Sequence, residues 1–180
     1  MSIFKSAVKW LNREVIKPAA KFAKKTISKK SDTVSGGINF NGSLGGISFD
    51  LQIALSLDTQ GNLALQGSFA SNFGTGTPGF SVSGTAAHTN APSVDNLEGF
   101  GVQTGASSGT MIGPMPMIAS ISMLIIPANG NSQPYFGNSV GVGFGTPGKE
   151  FFVGMSDTVT FYKMNLFDHF FALLDDVEKW

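Results

Sequence analysis

Hydrophobic and polar residues alternate without a break from residue 47 to residue 58. A period of two places the two sets on opposite faces of a β-strand. Residues 58–62 read as a turn, and the alternation resumes at Leu63, which predicts a long antiparallel hairpin. The hydrophobic set of the first arm is Ile47, Phe49, Leu51, Ile53, Leu55 and Leu57, and the other set is Ser48, Asp50, Gln52, Ala54, Ser56 and Asp58.

Other segments of similar length predict more strands, separated by short polar or Gly/Pro-rich stretches. Together with the hairpin they predict a mainly β fold, an up-and-down meander of about eight antiparallel strands that forms a barrel or a curved sandwich. A barrel closed around small residues would leave space for a small apolar ligand. These further segments are residues 35–43, 79–88, 99–107, 117–126, 137–144 and 151–162.

The first thirty residues follow a different period. Phe4, Val8, Leu11, Val15 and Phe22 have the spacing of one apolar helix face, which predicts a basic amphipathic helix. Pro18 divides this helix into residues 2–16 and 19–28. The basic residues that recur every four positions are Lys5, Lys9, Arg13, Lys17, Lys21 and Lys25.

The C-terminus also returns to a helical pattern. Asn165 suits an N-cap, and an apolar face with the spacing of Leu166 and Phe170 follows it. Three acidic residues lie near the end of this segment, Asp175, Asp176 and Glu178. The predicted organisation is therefore a helical arm and linker at 1–31, a Gly-rich β domain at 32–164 and a short helix packed on it at 165–180.

Charge is distributed very unevenly along the chain. Nine basic residues and one acidic residue give the first thirty positions a net charge of +8, and the rest carries −8. No Lys or Arg occurs between residues 33 and 148. Such an asymmetry predicts an anionic partner for the arm.

Two kinds of anionic partner remain open for the arm. A membrane surface fits because apolar and basic residues share one helix. Alternatively the arm docks on an acidic protein or on the chain's own C-terminal helix, and a homo-oligomer is a further alternative. Nucleic acid is disfavoured because the body lacks basic residues. The predicted membrane- or anion-binding residues are Phe4, Lys5, Lys9, Trp10, Leu11, Arg13, Lys17, Lys21, Lys24 and Lys25.

Composition argues against an enzyme. Charged residues make up 13% of the chain, about half the usual share, which predicts a β domain whose outer face is neutral and polar or partly covered. Absence of Cys excludes disulfides and thiolate metal sites. His88 and His169 lack a nucleophile elbow, and the carboxylates of Asp50, Asp58, Asp95 and Glu98 match no calcium loop. We therefore expect no catalytic residue, metal or cofactor.

Two Gly-rich segments echo each other. Residues 73–79 read Phe-Gly-Thr-Gly-Thr-Pro-Gly and residues 144–148 read Phe-Gly-Thr-Pro-Gly. They lack the Lys and Ser/Thr of a phosphate-binding loop, so they are predicted to be turns that join strands.

The N-terminus lacks the apolar core of a signal peptide. We therefore expect synthesis in the cytoplasm without a cleavable signal, followed by a specialised secretion route or membrane association.

A family resemblance adds to this interpretation. Residues 89–99, Thr-Asn-Ala-Pro-Ser-Val-Asp-Asn-Leu-Glu-Gly, resemble the TNAP…LEG stretch of Gly-rich C-terminal modules in bacterial RHS-repeat and polymorphic-toxin proteins. Residues 141–148 and the ending from Asn165 are similar to those modules as well, so the resemblance covers about residues 35–180. The chain departs from the pattern because it has no RHS repeats. The resemblance implies association with interbacterial toxin systems and supplies no catalytic residues.

Overall fold

The computed structural model describes residues 32–127 and 133–166 of the 180-residue chain. Within these ranges the chain forms eight strands and one short 3₁₀ helix, Val94–Leu97. The predicted arm at 1–31 lies outside the described residues, as does the predicted C-terminal helix beyond residue 166. The strands are β1 (Thr33–Ser43), β2 (Ile47–Asp58), β3 (Asn62–Gly76), β4 (Gly79–Thr89), β5 (Gly99–Ile112), β6 (Met115–Ile126), β7 (Tyr135–Gly145) and β8 (Lys149–Asn165).

The hairpin predicted from the alternation is confirmed as β2 and β3. Leu57 lies opposite Leu63, so the two strands pair up to the turn that joins them. Asp58 closes this turn, since its carboxylate accepts hydrogen bonds from the backbone N–H groups of Gln60 and Asn62, both at 2.9 Å. An Asp at this position stabilises a turn because its side chain replaces a backbone acceptor.

All eight strands pair with antiparallel neighbours and close into a barrel, so the predicted mainly β architecture is confirmed. The predicted up-and-down order is wrong. The order around the barrel is β1-β2-β3-β8-β5-β6-β7-β4. Strands β4-β1-β2-β3 and β8-β5-β6-β7 are two successive Greek keys, in which the fourth strand returns to lie beside the first. The two motifs join where β3 pairs with β8 and where β7 pairs with β4.

The two Gly-rich segments, residues 73–79 and 144–148, lie where the strand order departs from a meander. Both join strands, as predicted, but each joins strands that are not neighbours: β3 to β4, and β7 to β8. The end of β3 crosses the β1–β2 turn, where Gly74 and Gly76 donate backbone hydrogen bonds to Gly46 and Gly45 at 3.0 and 3.1 Å. A connection of two residues therefore crosses over a hairpin, although short loops usually indicate neighbouring strands.

The barrel has two unlike ends. The turn end contains the connections 44–46, 77–78, 113–114 and 146–148. The terminal end contains Asp32 and Leu166, where the described chain begins and ends. It also contains the turn at residues 59–61 and the longer β4–β5 and β6–β7 connections. Short turns at one end and longer loops at the other are common in barrels with antiparallel strands.

One face of β7 shows why the barrel needs glycine. A Cβ atom at Gly143 would collide with the backbone of Val82 and Ser83 on β4. We expect Gly143→Ala to lower the free energy of unfolding by about 1–3 kcal/mol, because the clash is with backbone that cannot move aside. Gly42→Ala is the matched control, since nothing lies within 4 Å of a Cβ there. Denaturant unfolding of both variants checks this, and equal stabilities would contradict it.

Candidate functional site

The outer face of the barrel is apolar on every strand. Large hydrophobic side chains that point away from the lumen are more than a third exposed. We call this surface the outer belt. Its members are Ile38, Phe40, Ile47, Phe49, Leu51, Ile53, Phe69, Phe73, Phe80, Phe100, Ile112, Met115, Ile121, Met123, Ile125, Phe136, Val140, Val142, Phe144, Phe151, Val153, Met155, Val159, Phe161 and Tyr162.

The outer belt is too large for a surface left to water. Monomeric soluble proteins seldom expose apolar patches larger than on the order of a few hundred Å². A half-exposed Phe presents roughly 100 Å², so the phenylalanines of the belt alone reach that limit. Away from the strand ends, Asp157 is the one charged outward side chain among the described residues, and it lies between Phe69 and Phe100 of the adjacent strands.

The lumen is polar and holds a carboxylate at its centre. Asp50 points inward from β2 and accepts hydrogen bonds from four side-chain amides. Asn39 and Asn41 donate to Oδ1 at 2.9 and 3.2 Å, and Asn72 and Gln103 donate to Oδ2 at 2.6 and 3.4 Å. These residues come from β1, β2, β3 and β5, so Asp50 links strands across the lumen. A carboxylate surrounded by amide donors is stable without a cation.

A second polar network lies nearer the terminal end. Gln66 accepts a hydrogen bond from Ser56 at 2.6 Å and donates to Thr160 at 3.0 Å and to the backbone carbonyl of Val94 at 3.1 Å. The Asp58 carboxylate accepts from the N–H of Val94 at 3.2 Å. The β4–β5 connection is thereby fixed to strands on the other side of the barrel. No buried side-chain N or O atom of the described residues lacks a partner.

The polarity of the two faces corrects the prediction of a neutral, polar outer face. Strict alternation separates two sets of side chains without saying which set faces inward. Size is the signal that identifies them, since the lumen of an eight-stranded barrel is just wide enough to be filled by side chains. On β7, Gly141 and Gly143 face inward, and Val140, Val142 and Phe144 face outward. The inward positions of β7 have no room for large residues, since a Cβ atom at Gly143 would already collide with β4.

The lumen encloses a cavity of about 130 Å³. Its lining is mostly hydroxyl and amide groups, and Asn39, Asp50, Gln52, Ser83, Thr85 and Gln103 are among them. The small apolar ligand considered from the sequence stays a prediction.

The titratable residues singled out from the sequence have structural partners. His88 Nε2 lies 3.1 Å from Asp32 Oδ2, and Lys163 pairs with Asp95 at 2.6 Å. Glu98 accepts a hydrogen bond from the backbone N–H of Thr160 at 3.0 Å. Among the residues that the structure describes, no group of three His, Asp or Glu side chains is placed to hold a metal ion. His169 lies outside them.

All ten residues predicted to bind a membrane or an anion, from Phe4 to Lys25, also lie outside the described residues, so this site stays a prediction. In the described part of the chain, no helix is long and apolar enough to cross a membrane. No protein-family model, curated protein or solved structure matches the chain. The resemblance to RHS-associated modules therefore also stays a prediction.

Proposed function

We propose that this chain is a non-enzymatic, toxin-like or toxin-associated bacterial protein that acts at membranes. The outer belt carries the proposal, because it covers all eight strands whereas the lumen is polar. A protein partner on one side would cover only part of it. Acyl chains surround a barrel on all sides, and an apolar outer face with a polar interior is the polarity of barrels that reside in lipid.

The dimensions of the barrel suit a bilayer. Its shortest strands have 11 residues, a length of about 36 Å. At a tilt of about 45° such a strand spans about 25 Å, the height of the apolar band of membrane barrels. Ring closure leaves no unpaired strand edge, so the backbone needs no water in the apolar layer. The strands are thus long enough for the barrel to contact acyl chains over its full height.

The basic arm supplies the first contact in this proposal. Its nine Lys and Arg residues attract anionic headgroups, each by about 1 kcal/mol near the surface. Phe4, Trp10 and Leu11 add apolar contacts to the same segment. Electrostatic capture by the arm then brings the outer belt to the membrane.

Charge reversal in the arm tests this capture. We expect Lys5, Lys9, Arg13 and Lys17 changed together to Glu to weaken binding to anionic vesicles about a thousandfold or more, because four attractions are replaced by four repulsions. Flotation with vesicles of anionic or neutral phospholipid measures the change. In a Trp180→Phe background, Trp10 is the one remaining Trp, and its fluorescence reports insertion of the arm.

The matched control exchanges the same four residues for the other basic type, Lys to Arg and Arg13→Lys. It keeps every charge, so binding to anionic vesicles should be preserved. Equal binding by the reversed and control variants would contradict capture by the arm. Failure of the unmodified chain to float with either lipid would remove the membrane proposal altogether.

The second candidate is a structural or interaction module whose arm docks on an acidic partner. The satisfied lumen favours it, since a barrel held by networks around Asp50 and Gln66 is a rigid scaffold. Such a module requires another protein to cover the outer belt. Vesicle flotation separates the two candidates, because a module of this kind stays at the bottom of the gradient.

A further inference from the structure

The connections at one end of the barrel contain no charged residue. These turn-end connections are residues 44–46, 77–78, 113–114 and 146–148. The terminal end carries Asp32, Asp58, Asp95, Glu98 and Lys163. At the turn end the charged residues are the neighbours Lys149 and Glu150, and Glu150 lines the lumen cavity. Moving the turn end through an apolar layer therefore requires far less desolvation of charge than moving the terminal end.

Exposed phenylalanines form a ring near the turn end. Six of the eight strands contribute one, and β5 and β6 fill the gap with Met and Ile. Phenylalanine has no polar atom, so these rings enter the acyl layer without a hydrogen-bond partner. The phenylalanine ring consists of Phe40, Phe49, Phe73, Phe80, Phe144 and Phe151.

Several backbone groups of the turn end are already hydrogen-bonded. Gly74 and Gly76 donate to the β1–β2 turn, and Thr146 donates to the carbonyl of Phe80 at 2.9 Å. Gly148 and Gly109 exchange two hydrogen bonds, at 2.6 and 3.3 Å. Unpaired backbone groups are the main obstacle to placing loops in lipid. These contacts lower that obstacle at the turn end.

Taking these observations together, we propose that the barrel enters the bilayer with its turn end leading, and that the terminal end stays on the side from which the protein approaches. The interaction surface is the phenylalanine ring with the uncharged turns, and its partner is the acyl layer of a lipid bilayer. This orientation rests on the proposed membrane function.

Single cysteines at the two ends of β2 test the direction, since the chain has no Cys of its own. Leu44, 80% exposed, lies in the connection before β2, and Thr59, also exposed, lies in the turn after it. The full chain with Leu44→Cys or Thr59→Cys is bound to anionic phospholipid vesicles. A maleimide linked to a large polymer, which cannot pass the bilayer or the lumen, is then added outside.

We expect external labelling of Thr59→Cys to stay close to that of the lipid-free protein. Labelling of Leu44→Cys falls about tenfold or more and returns when detergent dissolves the vesicles, because the bilayer shields the leading end. The opposite pattern would overturn the orientation. Labelling of both sites from outside would also overturn the proposed orientation. If the same samples still float with the vesicles, the proposed membrane function is not contradicted. If neither variant floats, as checked against the unmodified chain, the proposed function itself fails.

Discussion

Replacing both Ile121 and Val140 by lysine is expected to lower the affinity for lipid vesicles by about a thousandfold or more. The two residues lie opposite each other at the middle of β6 and β7, and their side chains are 60% and 54% exposed on the outer belt. A lysine at the midplane of a bilayer costs about 2–4 kcal/mol on the lipid face of a barrel, and two such costs exceed about 4 kcal/mol. Vesicle titration followed by flotation measures the loss.

The adjacent pair on the other face is the matched control. Ser122 and Ser139 lie on the same two strands, β6 and β7, but point into the lumen of the barrel. Their hydroxyl groups share a hydrogen bond of 2.7 Å. Changing both to Ala removes donor and acceptor together, so vesicle affinity should stay unchanged. Asp157→Asn should act in the opposite direction and tighten binding, because it removes a charge from the outer belt. Unchanged affinity of the double lysine variant would exclude contact between acyl chains and the outer belt.

The second large effect is expected inside the barrel. Asp50→Leu should lower the free energy of unfolding by about 2–5 kcal/mol, since four amides lose their common acceptor. Denaturant unfolding in the lipid or detergent that keeps the unmodified chain folded gives the value.

An exposed aspartate provides the comparison for Asp50. Asp95 pairs with Lys163 at the surface, where an ion pair contributes about 0–1 kcal/mol. Asp95→Leu should therefore leave the unfolding midpoint almost unchanged. A similar loss for the two variants would show that the amides around Asp50 find other partners, and it would contradict a structural role for the lumen network.

Local patterns in the sequence predict the strands well and the strand order poorly. The alternation at residues 47–58 locates β2 because a period of two is a property of neighbouring residues. The pairing of β3 with β8 depends on contacts between residues about a hundred positions apart, such as Asn62 with Asn165. No local signal carries that information. The short connection at residues 77–78 even indicates the wrong neighbour, because the end of β3 crosses the β1–β2 turn before the chain enters β4.

The polarity of the outer belt is predictable from the sequence only in part. The apolar set on β2 is visible in the sequence, and the scarcity of charge between residues 33 and 148 is visible too. Whether that set faces the lumen or the surroundings depends on the width of the closed barrel, which is a property of the number of strands. The four amides around Asp50 come from three strands, and Gln103 lies 53 residues away in the sequence, so their convergence on one carboxylate requires the tertiary structure.

The late pairing of β3 with β8 affects the nascent chain during its synthesis on the ribosome. Strands β1 to β4 can form their Greek key early, but the edge of β3 waits for β8, the last strand to be synthesised. Until then, an unpaired edge and an apolar outer face are exposed together in one nascent chain, a combination that promotes aggregation. Contacts this distant in sequence also form slowly. We therefore expect less aggregation of the chain when a chaperone or lipid is present during its synthesis.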